Sequence, residues 1–167
     1  WSKSCLPEHE FKSLDEVWRY SWDDELGTIP PRPITDRAIT LSREQYYDRM
    51  IVHYMQPHVP FIAAGEESGF SVNEFGAKKM SDIWSDIEDG NISKEEFWDR
   101  YKQNLRYVLD DVGLLIDNID AERVVITSDH GNALGEYNIY EHPSNMRIPE
   151  LYKVPWVVTS GEDRNAH

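Results

Sequence analysis

The longest amphipathic pattern in the chain lies between residues 93 and 119. Ser93 and Glu96 form a capping box, and apolar residues then recur every three or four positions. These positions are Phe97, Tyr101, Leu105, Val108, Val112, Leu115 or Ile116, and Ile119. The spacing predicts a long helix with one buried face.

Shorter patterns predict the other elements. Helices are expected at 13–22, from Thr35 to about Tyr47 and at 76–88, and strands at Met50–Met55, Val124–Ser128 and Val154–Thr159. The segment GTIPPRP is predicted to be neither helix nor central strand, because proline lacks a backbone N–H. We therefore interpret residues 1–34 as an irregular connector or wrapping segment, and residues 35–167 as an α/β domain.

Strands that alternate with helices of this length predict an α/β fold with a mostly parallel sheet flanked by helices. Ligands of such sheets bind at the carboxyl ends of the strands. His58 follows the strand at 50–55, and Asp129 and His130 follow the next strand. We expect these three residues and His142 to cluster at one sheet edge, within roughly 10 Å. Four aromatic residues at helical or strand spacing are expected in the core: Trp84, Trp98, Tyr101 and Trp156.

Composition narrows the class of protein. The chain has 167 residues, 40% of them hydrophobic, without an apolar run of membrane-spanning length, so we expect a globular chain with no membrane segment. Asp and Glu outnumber Lys and Arg 31 to 17, and the net charge of −14 argues against nucleic acid as a partner. A single cysteine excludes an internal disulfide and favours a cytoplasmic location. The sequence begins at Trp1 without a Met, so it leaves open whether targeting information precedes it.

Asp129 and His130 follow an apolar strand directly and precede Gly131. Neighbouring residues of a continuing strand point to opposite faces, so they share one ion only if the strand ends there, which a glycine permits. A carboxylate and an imidazole favour zinc or manganese, with calcium or magnesium as alternatives. The simpler interpretation is that Asp129 caps a helix beginning near Asn132 and that His130 is a surface residue.

Longer motifs bring in a resemblance. The segments SDHGNALGE, IYEHP and PELYKVPWVV resemble the carboxyl-terminal half of the alkaline phosphatase superfamily, in its sulfatase-like and phosphoethanolamine-transferase-like branch. The earlier segment MQPHVPF is similar to the histidine-bearing segment that precedes them in that family. The resemblance runs from about Met50 to Val158 and implies an alkaline-phosphatase-like fold that lacks its N-terminal part.

The resemblance also implies roles for four residues. Asp129 and His130 would be ligands of a divalent metal, and His58 would contact the sulfuryl or phosphoryl group of the substrate. His142, 12 residues beyond His130, would be a second ligand for the same group or for a second ion. Sulfatases tend to have Lys at that position, which favours phosphoryl chemistry.

The chain departs from the family at its nucleophile. Family members place an acidic metal ligand after their first strand and a Cys-derived formylglycine, Ser or Thr at the start of the next helix, in a segment expected to be absent here. The segment from Cys5 to His9 weakly resembles the sulfatase C-x-P-x-R signature, but His9 replaces the Arg. We therefore interpret Cys5 as an ordinary structural cysteine.

The predicted function is the carboxyl-terminal portion of a metal-dependent sulfate or phosphate ester hydrolase or transferase. Its substrate would be a small anionic ester, and the chain alone would be inactive without its N-terminal half. Two alternatives remain: a non-catalytic module that binds an anion or metal, and an interaction protein that needs the missing half.

Overall fold

The computed structural model describes residues 11–66, 71, 73 and 83–164. Within these ranges the chain has a mixed α/β structure. Its helices are α1 Trp18–Ser21, α2 Pro31–Glu44, α3 Ile83–Glu88, α4 Lys94–Ile116 and α5 Pro149–Tyr152, with a 3-10 turn at Ile62–Ala64. Its strands are β1 Ala121–Thr127, β2 Ala133–Glu136, β3 Ile139–Glu141 and β4 Trp156–Gly161.

Helix α4 confirms the longest sequence pattern. The Ser93 hydroxyl accepts a hydrogen bond from the backbone N–H of Glu96 at 3.1 Å, as the capping box predicts. The buried face of α4 consists of Phe97, Asn104, Val108, Asp111 and Leu115. Two of these residues are polar, so the helix carries buried hydrogen-bonding groups inside an otherwise apolar stripe.

Helix α2 begins inside the proline-rich segment, where the sequence predicted no helix. Pro31 occupies its first turn, where backbone N–H groups have no partner within the helix and where the fixed φ of proline suits the helix. The prediction was therefore wrong from Pro31 onward, and α2 crosses the expected boundary at residue 34. It ends at Glu44, short of the predicted Tyr47.

The core joins the histidine-bearing loop to the helices and to the first hairpin. Its buried members are Val59, Phe61, Ile83, Trp84, Ile87, Phe97 and Leu134. The rings of Phe61 and Phe97 meet edge to face, with their centroids 5.2 Å apart. This cluster holds the loop around His58 at a fixed place relative to α4 and β2.

The described strands pair only antiparallel, β1 with β4 and β2 with β3, so the expected parallel pairing is not seen in this part of the chain. A parallel pair needs a crossover connection of a dozen or more residues, usually a helix. Between β1 and β4 the chain instead forms the β2–β3 hairpin and the 4-residue helix α5. That connection returns β4 beside β1 in the opposite direction.

Other element predictions hold in part. Residues 50–55 form no strand; Tyr54 instead packs toward α2, where its hydroxyl lies 2.8 Å from Thr35 Oγ1. Of the helix predicted at 13–22, only α1 is helical, and of that predicted at 76–88, Ile83–Glu88 is helical. Residues 76–82 of that helix, and Cys5 and His9, lie outside the described residues.

Strand β4 is exposed on both faces. Trp156, Val157 and Val158 keep 64%, 52% and 54% of their surface accessible, so the core position expected for Trp156 was wrong. Trp98 is also exposed, whereas Trp84 is buried and Tyr101 packs against the core. The cause at β4 is that its sheet has two strands in the described part of the chain.

Among the described residues, no helix combines the length and the apolar character needed to cross a membrane.

Candidate functional site

The turn after β1 brings Asp129 and His130 to one side of the backbone. The strand ends at Thr127, and the Ser128 hydroxyl donates to the carbonyl of His130 at 2.6 Å. Asp129 Oδ1 accepts from the backbone N–H of His130 at 3.0 Å, and Asp129 Oδ2 lies 3.8 Å from His130 Nε2. The simpler interpretation, a helix capped by Asp129, is wrong because strand β2 begins at Ala133.

Gly131 is required by close packing. Its backbone N–H donates to the carbonyl of Leu151 in α5 at 3.1 Å, and a Cβ added to it would lie 2.1 Å from the carbonyl oxygen of Glu150. Its φ is not among the positive values of the described residues, so glycine is required here by the lack of space and not by its backbone angles. The absence of a side chain lets α5 brace the turn that carries Asp129 and His130.

Three histidines gather at this turn. His142 follows β3, and its ring centroid lies 4.2 Å from that of His130 and 6.1 Å from that of His58. The rings of His58 and His130 therefore both lie beside that of His142, but His58 leaves an irregular segment instead of a strand, so the expected common sheet edge is not seen among the described residues. The catalytic, substrate-binding and metal-binding roles of these residues stay predictions.

Asn104 of α4 fixes the loop that carries His58. Its side-chain amide is fully buried and donates to the carbonyls of His58 at 3.1 Å and Pro60 at 3.3 Å, while its oxygen accepts from the N–H of Ala63 at 3.3 Å. The sequence pattern placed Leu105 on the buried face of the helix and did not indicate Asn104. The available signal was its position seven residues after Phe97, on the same face of the helix.

Backbone carbonyls set the tautomers of two histidines. The Nδ1 atom of His58 lies 2.7 Å from the carbonyl oxygen of Val59, and that of His130 lies 2.9 Å from the carbonyl oxygen of Gly131. A carbonyl oxygen only accepts, so each Nδ1 carries the proton and donates. In the neutral rings, each Nε2 then presents a lone pair, which is the arrangement found in metal-ligating histidines.

His142 adds a third ring nitrogen. Its Nε2 is buried and has no hydrogen-bond partner in the described structure. Burial lowers the pKa of His142, and the neighbouring His130 lowers it further. A neutral imidazole can bind a metal ion, but it lacks the positive charge that attracts an anion. This environment therefore favours the metal-ligand role of His142 over its anion-contact role.

The spacing of the donor atoms of Asp129 and His130 fits two of the four positions around a tetrahedral metal ion. Ligand atoms about 2.1 Å from a tetrahedral zinc lie about 3.4 Å apart, close to the 3.8 Å between Asp129 Oδ2 and His130 Nε2. Among the described residues, no group of three or more His, Cys, Asp or Glu side chains is arranged to hold a metal ion. The two residues therefore fit a cation as a pair, and a complete shell requires further ligands.

Two more residues border the site and were missed by the sequence analysis. The Oδ1 atom of Asn132 is buried without a hydrogen-bond partner. Burial raises the pKa of Tyr101, the contact with Asn132 opposes that rise, and the charge of Asp129 adds to it. Tyr101 had been counted only as a core aromatic residue, and Asn132 only as the start of a helix.

Comparison of the chain with protein-family models, with curated proteins and with solved structures gives no match.

Proposed function

We propose that this chain carries part of the active site of a metal-dependent phosphate or sulfate ester hydrolase or transferase. One observation carries the proposal: Asp129 and three imidazoles, two with their Nε2 atoms set as lone-pair donors, converge beside one braced turn. Such a set suits a divalent cation and the anionic ester that it would activate.

In this proposal Asp129 and His130 hold the cation. When bound, zinc or manganese would polarise an oxygen of the ester and lower the pKa of the attacking hydroxyl. His58, held by Asn104, would bind and orient the ester oxygens when its Nε2 also carries a proton, and His142 either shares that task or completes the metal shell. In its protonated form, the ring of His58 is the candidate proton donor to the leaving oxygen.

The alkaline-phosphatase-like fold belongs to the same proposal. A parallel sheet of that kind would need further strands beside β1 or β4. Support comes from the exposed apolar side chains of β4, which additional strands and helices would cover. An N-terminal half would also supply the acidic ligand and the nucleophile.

Metal titration by calorimetry tests the proposal. We expect the chain to bind zinc or manganese, and Asp129→Ala or His130→Ala to weaken binding by about tenfold or more. His53→Ala is the matched control, because His53 is an exposed histidine that precedes the histidine-bearing loop. An affinity unchanged by Asp129→Ala, or lowered equally by His53→Ala, would contradict the proposal.

A second candidate is a metal-binding module that is not catalytic by itself. It is favoured by the hydroxyl of Ser128, next to Asp129 in the chain, which donates to the carbonyl of His130 and is not activated as a nucleophile. Hydrolysis of a generic aryl phosphate and aryl sulfate separates the candidates. Metal binding without turnover supports the module, whereas turnover abolished by Asp129→Ala supports a complete enzyme.

A further inference from the structure

The histidine-bearing loop, residues 56–66, is held on α4 by a second contact besides Asn104. Glu66, at the far end of the loop, accepts the backbone N–H of Phe61 through Oε2 at 2.7 Å. Its other oxygen, Oε1, accepts from the guanidinium of Arg100 in α4 at 2.9 Å. One carboxylate therefore joins the backbone of the loop to the helix.

Arg100 lies four residues before Asn104, on the same face of α4. Its guanidinium also donates to Glu96, one turn earlier, so a second carboxylate fixes its position on the helix. The side chains of Arg100 and Glu66 keep 31% and 23% of their surface accessible. Water screens a pair exposed to this degree, so it adds little to the overall stability of the chain. What the pair fixes is the place of the loop on α4.

The two contacts of α4 enclose the part of the loop that sets the ring of His58. Asn104 donates to the carbonyl of His58, and Glu66 accepts from the N–H of Phe61, three residues later. Between them, Nδ1 of His58 donates to the carbonyl oxygen of Val59 at 2.7 Å. The position of this backbone on α4 therefore determines where the ring of His58 lies.

The metal pair is held by a different part of the chain. The turn that carries Asp129 and His130 follows β1 and is braced by α5, through the hydrogen bond from Gly131 to the carbonyl of Leu151. The loop of His58 is braced by α4. A change in the brace on α4 should therefore move His58 relative to the metal pair and leave the metal pair itself unchanged.

We propose that Arg100 and Glu66 are positioning residues for His58, and that together they set its distance from the anion beside the metal pair. This inference rests on the proposed function. Both residues act through the backbone of the loop, and not by contact with the metal or the ester.

Binding of phenylphosphonate to the zinc-loaded chain tests this assignment. Phenylphosphonate is a stable analogue of a small phosphate ester, and calorimetry measures its affinity separately from that of zinc. We expect Arg100→Ala and Glu66→Ala to weaken phenylphosphonate binding by about threefold to tenfold, the effect of one lost hydrogen bond. Their affinity for zinc should stay within about twofold of wild type, since a change at α4 leaves the metal pair in place. His58→Ala should weaken phenylphosphonate binding at least as much as either variant.

Conservative and combined variants separate positioning from a general loss of structure. Arg100→Lys keeps the charge but lacks the planar fork that reaches two carboxylates, and Glu66→Gln keeps an acceptor for the N–H of Phe61. Each should recover part of the affinity that the alanine variant loses. The double alanine variant should lose no more than Glu66→Ala alone, because the two residues act as one unit. The NMR chemical shifts of the His58 ring should change in the same order.

Lys102→Ala is the control, because Lys102 forms an exposed ion pair with Asp99 within the same helix. It should leave both affinities and the His58 signals unchanged. Equal losses of zinc and phenylphosphonate binding in the alanine variants would show a purely structural role and overturn the inference. Wild-type phenylphosphonate affinity in these variants would also overturn it.

If the alanine variants fail to fold, Arg100→Lys and Glu66→Gln decide, because wild-type phenylphosphonate affinity and wild-type His58 signals in both overturn the inference. Zinc binding without phenylphosphonate binding, or phenylphosphonate binding that His58→Ala leaves unchanged, would refute the inference alone. In each of these cases, zinc binding that Asp129→Ala weakens leaves the proposed function standing. A wild-type chain that binds neither zinc nor phenylphosphonate would refute both.

Discussion

Replacing Gly131 with alanine tests how the turn that carries Asp129 and His130 is held. The new Cβ would lie 2.1 Å from the carbonyl oxygen of Glu150 and 3.2 Å from its carbonyl carbon, and both are backbone atoms. Relief of the clash requires the turn or α5 to move by about 1 Å, since ordinary contacts begin near 3.4 Å. Such a movement also breaks the hydrogen bond from Gly131 to Leu151.

The expected loss of stability is the sum of two effects. Overpacking costs about 1–3 kcal/mol, and the lost backbone hydrogen bond costs about 1 kcal/mol. At about 2–4 °C per kcal/mol for a chain of this size, Gly131→Ala should lower Tm by about 4–16 °C. Its affinity for zinc and manganese should fall with it, because Asp129 and His130 move with the turn.

The matched control is Gly113→Ala. A Cβ at Gly113 would meet no atom within 4 Å, and the residue lies inside α4. Alanine there should raise stability by about 0.5–1 kcal/mol, because glycine is the poorer helix former. Thermal unfolding followed by circular dichroism measures both variants. A Gly131→Ala protein with the Tm and metal affinity of wild type would refute the account of the turn.

Three other predictions concern the support of the histidine-bearing loop, a buried carboxylate of α4 and the protonation of His142. Asn104→Ala should cost about 2–4 kcal/mol in urea unfolding, because it opens a cavity and leaves several buried backbone groups unpaired; a cost near zero would contradict the role of Asn104 in holding the histidine-bearing loop. Arg32→Ala should cost about 1–3 kcal/mol, because it strips the buried carboxylate of Asp111 of its partner at 2.7 Å, whereas Arg164→Ala, in an exposed pair, should change stability by about 0.5 kcal/mol or less; equal effects would refute this. The pKa of His142 is lowered by burial and by a neighbouring imidazole, so the folded state binds fewer protons than the unfolded state: the stability of metal-free protein should be full above the ordinary histidine pKa of about 6.5 and fall as pH drops through the lower folded pKa. His142→Gln should flatten that slope, and identical slopes from pH 7.5 to 5 would contradict the assignment.

Local signals in the sequence predicted local structure well. The capping box at Ser93 needs only neighbouring atoms, and the helix begins where it was predicted. Pro31 misled the prediction because proline is compatible with the first turn of a helix although it disrupts the interior. The rule that excludes proline from helices therefore holds only where a backbone N–H is needed.

Strand pairing could not be predicted from the same signals. The apolar run of β4 is compatible with either direction, and its antiparallel pairing with β1 depends on the path of the intervening hairpin and α5. Residues 50–55 have the composition of a strand but form none, because a strand also requires a neighbour to accept its hydrogen bonds. Periodicity contains no information about that neighbour.

The candidate site was predicted where it depends on motif order and missed where it depends on packing. The motifs around His58, Asp129 and His142 named side chains that the fold brings together. Asn104 and Asn132 were missed because an asparagine gains its role from the atoms around it. Only the fold shows that Asn104 bonds to the loop of His58 and that the side-chain oxygen of Asn132 is buried without a partner.

The most direct test of the proposed metal site is the position of a bound ion. Crystals of the chain soaked with manganese or zinc, and measured at wavelengths on both sides of the absorption edge of that metal, locate the ion by its anomalous scattering. We predict one anomalous peak at about 2.0–2.2 Å from both Asp129 Oδ2 and His130 Nε2. An ion bound elsewhere in the chain, or no peak beside these two atoms at saturating metal, would contradict the proposed metal site.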